Sequence, residues 1–195
     1  MSPVRGYNPQ MRRYALLLGL LPAACAPGIE PALCSLGEQP STAPSEALVI
    51  IEIPAGGREK NELDPRTGQL VVDRVLPDSV SYPAAYGIFP CTLAGDGDPL
   101  DVLVLADSSL TPGSTVRVRP IGVLRMVDAG EEDDKLLAVP LSSTIREVPL
   151  EVQQTIEHFF SVYKPGADIQ LNGWADSTTA TTLLTRAIGA ARVKP

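Results

Sequence analysis

Short β-branched runs, each stopped by proline or glycine, fill the chain from Ala47 to Val139, and two amphipathic helical segments follow them. This order constrains the fold more than any other feature. Leu48-Val49-Ile50-Ile51-Glu52-Ile53 halts at Pro54, which cannot donate to a strand ladder. Gln69–Leu76, Val102–Ala106, Thr115–Met126 and Leu136–Val139 read as further strands, and Leu63–Gly68 reads as a turn. Val116-Arg117-Val118-Arg119 alternates strictly, so one face of that strand meets water. Val152, Ile156, Phe159, Phe160 and Tyr163 recur at helical spacing and end at Pro165-Gly166. Leu183, Leu184, Ala187, Ile188 and Ala191 do the same after the capping candidates Asp176 and Ser177. Strands followed by helices argue for an α+β domain built on a small barrel or curled sheet.

The first 46 residues have a different character. Arg12-Arg13, the apolar stretch Tyr14–Leu21 and Pro22-Ala23-Ala24-Cys25 have the charged start, short apolar middle and small-residue end of an export signal. Residues 26–46 are rich in Pro, Ser and Ala and read as a linker. The expected division is a leader at 1–46 and a folded domain at 47–195, with the leader dispensable. Cys25, Cys34 and Cys91 make neither a disulfide framework nor a spaced zinc site. Cys91 is expected to be a small buried thiol, the single histidine His158 a partly buried helix residue, and Trp174 a packing residue for the C-terminal helix.

Hydrophobic residues make up 44% of the chain and charged ones 20%, enough to bury a core and to exclude wholesale disorder. The formal net charge of −7 argues against a nucleic-acid partner, since no chain-wide basic surface exists. An oligonucleotide-binding barrel is disfavoured further by an aromatic content of 5%.

The chemistry sits in the carboxylates. Asp96-Gly97-Asp98-Pro99-Leu100-Asp101 puts three of them into six residues, just before a strand. Packed anions raise one another's cost of ionisation, so a loop that keeps three offers them to a cation or to proton transfer. Oxygen-only donors suit hard ions such as Mg²⁺ and Mn²⁺. An EF-hand is excluded, because Leu100 and Asp101 stand where its oxygen ligand and glycine belong. A second acidic set, Asp128, Glu131, Glu132, Asp133 and Asp134, precedes Lys135. Lys60, Arg74, Lys135, Lys164, Tyr82, Tyr86 and Tyr163 complete a set suited to a polyanionic phosphate.

The run Asp96-Gly97-Asp98-Pro99-Leu100-Asp101-Val102 resembles the signature of the soluble family I inorganic pyrophosphatases. The resemblance extends through Ile51-Glu52-Ile53-Pro54, Val72-Asp73-Arg74, Tyr82-Pro83, Tyr86-Gly87, Gly122–Met126, the Asp128–Lys135 block and His158-Phe159-Phe160…Tyr163-Lys164. It implies a five-stranded OB-like barrel flanked by two C-terminal helices. It also implies metal-dependent hydrolysis of pyrophosphate to two orthophosphates. Asp96, Asp101, Asp128 and Asp133 would hold metal, with Asp101 shared between two ions and Glu52 in the acidic rim around them. Asp98 would be the base that activates water. Lys60, Glu62, Arg74, Tyr86, Lys135, Tyr163 and Lys164 would make up the substrate site, with Tyr82 behind them. The implied cofactor is Mg²⁺, several ions of it, with Mn²⁺ or Zn²⁺ as substitutes. The implied partners are pyrophosphate and further copies of the chain, a hexamer by analogy with bacterial members. The pattern departs from the family at Ala129, where an acid often stands. Pyrophosphate arises mainly in cytosolic biosynthesis, so the substrate places the enzyme in the cytoplasm. Export or lipid anchoring through Cys25 is the alternative, and an inactive relative is the alternative to catalysis.

Overall fold

A computed structural model of the chain describes residues 34–64 and 66–192. The export-like stretch and Cys25 lie outside them. Among the described residues nine strands and two long helices follow in this order: β1 Ala47–Ile53, β2 Glu59–Leu63, β3 Leu70–Val75, β4 Ala85–Ile88, β5 Asp101–Val104, β6 Thr115–Asp128, β7 Glu131–Glu132, β8 Lys135–Pro140, α1 Leu150–Val162, β9 Ile169–Asp176 and α2 Ser177–Arg192.

The main sheet runs β1-β4-β5-β8-β6, and β6 pairs back onto β1, so these five strands form a ring. This is the expected OB-like barrel. All its pairings are antiparallel except β5 with β8. β6 is long enough, at 14 residues, to carry β1, β8, β7 and β9 along its length. β4 approaches β1 so closely that a Cβ at Gly87 would collide with the Ile50 carbonyl oxygen, which is why glycine follows Tyr86. β2 and β3 form a separate two-stranded ribbon.

β1, β5 and β8 read as near-continuous apolar runs because they are buried on both faces, whereas the first half of β6 alternates, with Arg117 exposed and Val118 buried. Alternate residues sort into two clusters. Val102 and Val104 lie with Leu136, Ala138 and the α2 residues Ala180, Leu184 and Ala187. Leu103 lies with Leu137, Val139 and the α1 residues Ile156, Phe159 and Phe160. The Asp176 carboxylate caps α2 by accepting from the Thr179 amide and hydroxyl at 2.9 Å each, as its position suggests.

Four expectations are corrected. Cys91 is buried but not a free thiol, since it is disulfide-bonded to Cys34, 57 residues away. The linker reading fails for Cys34–Glu46. Gln39 in this segment is only 5% exposed; its amide donates to the carbonyls of Leu48 and Pro90, and its oxygen accepts from the Leu48 amide, each at 2.9 Å. Composition misled here because one buried side chain and one covalent bridge anchor a stretch that is otherwise poor in apolar residues. His158 is exposed on α1, beside buried Phe159. Trp174 lies on β9 and turns to α1, where its indole donates to Glu157 at 2.6 Å, rather than to the C-terminal helix. Among the described residues no helix is long and apolar enough to cross a membrane.

Candidate active site

The parallel pairing of β5 with β8 builds the centre of the site. Val102 faces Leu136, so the residues just before them, Asp101 and Lys135, stand side by side where the two strands begin. The Lys135 ammonium lies between the carboxylates of Asp101 and Asp133, at 2.5 Å from each. Lys135 is only 3% exposed. Burial opposes its charge, but the two carboxylates outweigh that, and its pKa is raised. Burial also raises the Asp133 carboxyl above the ordinary range, partly offset by Lys135, and Asp101 and Asp96 push the same way.

The carboxylate loop leads into β5. Thr92 closes its base: the hydroxyl donates to the Phe89 carbonyl at 2.5 Å and accepts from the Leu100 amide at 2.9 Å. The Ala94 amide donates to the Asp98 carbonyl, and Asp96 accepts from the Asp98 amide at 3.0 Å. Gly97 turns the tip with φ +89°, a conformation that favours glycine. Asp96 and Asp98 are exposed at this tip, whereas Asp101 is half-buried at the strand.

The second acidic set is a hairpin, as its charge pattern suggests, and it also faces the site. Asp128 pairs with Glu131 across Ala129-Gly130, both with positive φ (53° and 88°). Asp128 accepts from Lys164 at 2.6 Å through one oxygen, while its other oxygen is buried with no hydrogen-bond partner among the described residues. Asp134 points elsewhere. It pairs with Arg125 and accepts from the Met126 amide at 3.1 Å, which braces the hairpin.

The β2–β3 ribbon supplies further cations. Lys60 faces Arg74 in the ladder, and Asp73 holds both at 3.2 Å, a bridging role not foreseen from the sequence. Lys60 also pairs with Glu62. Arg74 lies over the Tyr163 ring, 5.7 Å from its centroid. Glu52 is deeper than a rim position: it is 5% exposed and accepts from the Leu63 amide at 2.7 Å, pinning the ribbon to β1. Burial, reinforced by Asp101, pushes its pKa up to about 8 despite that hydrogen bond.

Tyr82, Tyr86 and Tyr163 form the apolar wall with Phe159. Burial pushes the Tyr163 hydroxyl up to about 12, and its charged neighbours are Lys135, Asp128, Asp133 and Arg74. Burial, with Asp101 next, raises Tyr86 further, and burial also raises Tyr82. All three therefore stay protonated donors at neutral pH. The residues singled out by sequence thus converge from four parts of the chain. The exposed carboxylate loop joins the β6–β7 hairpin, the ribbon and the end of α1.

Among the described residues, no three acidic side chains converge closely enough to chelate an ion as they stand. The donor set nevertheless fits a hard cation. It is all oxygen, the carboxylates outnumber the cations about two to one, and Asp128 presents a buried oxygen without a partner. Such a cluster accepts a phosphate anion only with cations between them.

An OB-like ring carrying this cluster of acids, lysines and tyrosines defines a phosphate-handling enzyme of the hydrolase class. A family model for inorganic pyrophosphatase matches residues 49–192. The chain is 41% identical to the inorganic pyrophosphatase of Gluconobacter oxydans over 161 residues, which span 76% of this chain and 93% of that one. It is 44% identical to that of Xylella fastidiosa over 158 residues, 74% of this chain and 89% of that one. The crystal structure of the inorganic pyrophosphatase from Thermus thermophilus superposes with a TM-score of 0.76 at 38% identity, covering 81% of this chain and 99% of that one. The chain belongs to the inorganic pyrophosphatase family.

Proposed function

We propose that this protein hydrolyses inorganic pyrophosphate to two orthophosphates with Mg²⁺ as its cofactor. The observation that carries the reading is the Asp101–Lys135–Asp133 centre, with Lys135 buried between the two carboxylates and Lys60, Arg74 and Lys164 around it, in a chain of this family. Asp96, Asp101, Asp128 and Asp133 would hold the ions in this reading, with the buried Glu52 as a further acid of the site. Bound there, divalent ions neutralise phosphate oxygens and lower the pKa of a water. Asp98, exposed at the loop tip, takes the proton from the attacking water. Lys60, Arg74, Lys135 and Lys164 bind the phosphate oxygens, and Tyr86 and Tyr163 donate hydrogen bonds to them. Glu62 keeps the Lys60 ammonium in place. The phosphoryl group passes directly to water, so no covalent intermediate forms on the protein.

Phosphate release from pyrophosphate, measured with Mg²⁺ and again in excess EDTA, tests the proposal. Activity is expected only with the metal, and Ca²⁺ should inhibit through its looser geometry. Full activity in EDTA would sink the metal-dependent mechanism, and no release under either condition would make the chain an inactive relative.

Two further parts of this reading concern assembly and compartment. Val71, Val72 and Val75 on β3 are each more than half exposed, leaving apolar surface on the ribbon that would suit a homo-oligomer of the hexameric kind; sedimentation velocity tests it. The supply of pyrophosphate argues for the cytoplasm. The Cys34–Cys91 disulfide argues for an oxidising compartment and for reading Arg12–Cys25 as an export signal, and we favour it. Fractionation with mass spectrometry of the N-terminus decides: a cleaved or lipidated Cys25 end supports export, and an intact Met1 or Met11 in the soluble fraction refutes it.

A further inference from the structure

We infer that the segment Cys34–Glu46 is a clamp that positions the carboxylate loop, with Cys34 and Gln39 as its positioning residues. The inference rests on the reading of Asp96 and Asp101 as metal-holding residues. Both clamp residues precede the range 49–192 matched by the family model.

The loop's ascending stem is Phe89–Thr92. On one side it is tied to its own descending stem, where the Phe89 amide donates to the Leu100 carbonyl at 2.9 Å and Thr92 bridges the two. On the other side two consecutive stem residues are held from the N-terminal segment. The Pro90 carbonyl accepts from Gln39, and Cys91 is bonded covalently to Cys34. Gln39 has both amide protons and its oxygen engaged, and the Leu48 backbone takes the other two bonds, so it links the start of β1 to the loop stem.

Cys91 itself has φ +53°. A non-glycine residue holds this left-handed conformation only where its surroundings fix it. Here it swings the chain from β4 into the loop, five residues before Asp96. The next tie, from the Leu93 amide to the Ala187 carbonyl of α2, lies on the far side of that bend. Release of Cys91 and Pro90 therefore frees the bend while leaving the barrel strands paired. The loop then has to be ordered each time a cation binds, and affinity falls accordingly.

The test uses the full chain without pyrophosphate, so a protein that fails to hydrolyse it still gives a readable outcome. Amide hydrogen exchange is followed over residues 92–101 and over Val102–Val104, and Mg²⁺ binding is measured by calorimetry. Four samples are compared: oxidised protein, the same protein in phosphine reductant, Cys34→Ser, and Gln39→Met, which keeps the side-chain volume but removes its three hydrogen bonds. Reduction and Cys34→Ser should each speed exchange at 92–101 about tenfold and weaken Mg²⁺ binding about tenfold, with Val102–Val104 unchanged. Gln39→Met should move both in the same direction by a smaller factor. Reoxidation should restore the wild type and leave Cys34→Ser as it was. Unchanged Mg²⁺ affinity with equal exchange at 92–101 overturns the proposal. So does exchange that speeds up equally in both regions, which makes the bridge a general staple. If Cys34→Ser does not fold, the reduced wild type and Gln39→Met carry the same decision.

Discussion

Replacing Lys135 by methionine isolates the electrostatics of the site. Methionine keeps most of the lysine stem and removes the ammonium, so packing changes little. The loss leaves Asp101 and Asp133 facing each other in a pocket where Lys135 was 3% exposed, with no cation between them. Removing one partner of a buried pair costs about 3–5 kcal/mol, and for a domain of this size that lowers Tm by roughly 6–20 °C. The penalty needs both carboxylates ionised. Asp133 already has a raised pKa through burial, so lowering the pH protonates it early and the deficit of the variant should shrink on the acid side. A second change, Lys135→Met with Asp133→Asn, should recover at least half of the loss at pH 8. Magnesium should also stabilise Lys135→Met more than it stabilises the wild type, because the ion supplies the missing positive charge. Thermal unfolding at pH 5 and pH 8, in EDTA and in Mg²⁺, reads all of these. A Lys135→Met protein within ~1 kcal/mol of wild type in EDTA at pH 8 would refute the argument, since burial and pairing of that ammonium are its whole basis.

Glu52, with its pKa raised by burial from the ordinary 4.5 to about 8, binds its proton more tightly folded than unfolded. Its contribution to stability is therefore complete below pH 4.5 and is lost as the pH rises to about 8; Glu52→Gln in EDTA should flatten that slope, and denaturant titrations at several pH values would expose an unchanged slope. Ala129 occupies a left-handed turn position at φ +53°, so Ala129→Gly should raise stability by about 1 kcal/mol; a lower Tm would show that the turn is not strained there. Asp98→Asn should cost about 10²–10⁴-fold in turnover while Mg²⁺ still binds by calorimetry; normal turnover would remove Asp98 as the base.

The sequence announces those parts of the fold where side chains alone set the pattern. β1, β3, β5 and β6 are rich in β-branched residues and β8 in leucine, and all were legible, as were both helices and the Asp176 cap. β2 was not, because Glu-Lys-Asn-Glu-Leu carries the charges of an exposed ribbon, whose ladder follows from its partner β3. β4 is four residues with a glycine that only the approach to β1 explains. β9 alternates apolar and polar only over Ile169–Asn172 before Gly173, at φ +84°, interrupts it. In the site, the acids stood out through their spacing, and the tyrosines and cations through family resemblance. Asp73 as a bridge, Thr92 as the loop closure and Gln39 as an anchor were invisible, since each role depends on a partner brought near by the ring. The disulfide was missed for the same reason: a pairing over 57 residues leaves no local mark.

The return of β6 onto β1 closes the ring late in any order of assembly, because Ala47 must find Val118. The contacts that define the site are also distant in sequence, with Lys135 separated from Asp101 by 34 residues and Lys164 from Asp128 by 36. Loop-closure entropy has to be met before such contacts reward it, and chains of this topology refold slowly. Among the described residues no single hairpin or helix brings Asp101, Lys135 and the ribbon cations together on its own. During refolding, secondary structure should therefore return first and activity last, in the phase that joins β1 to β6.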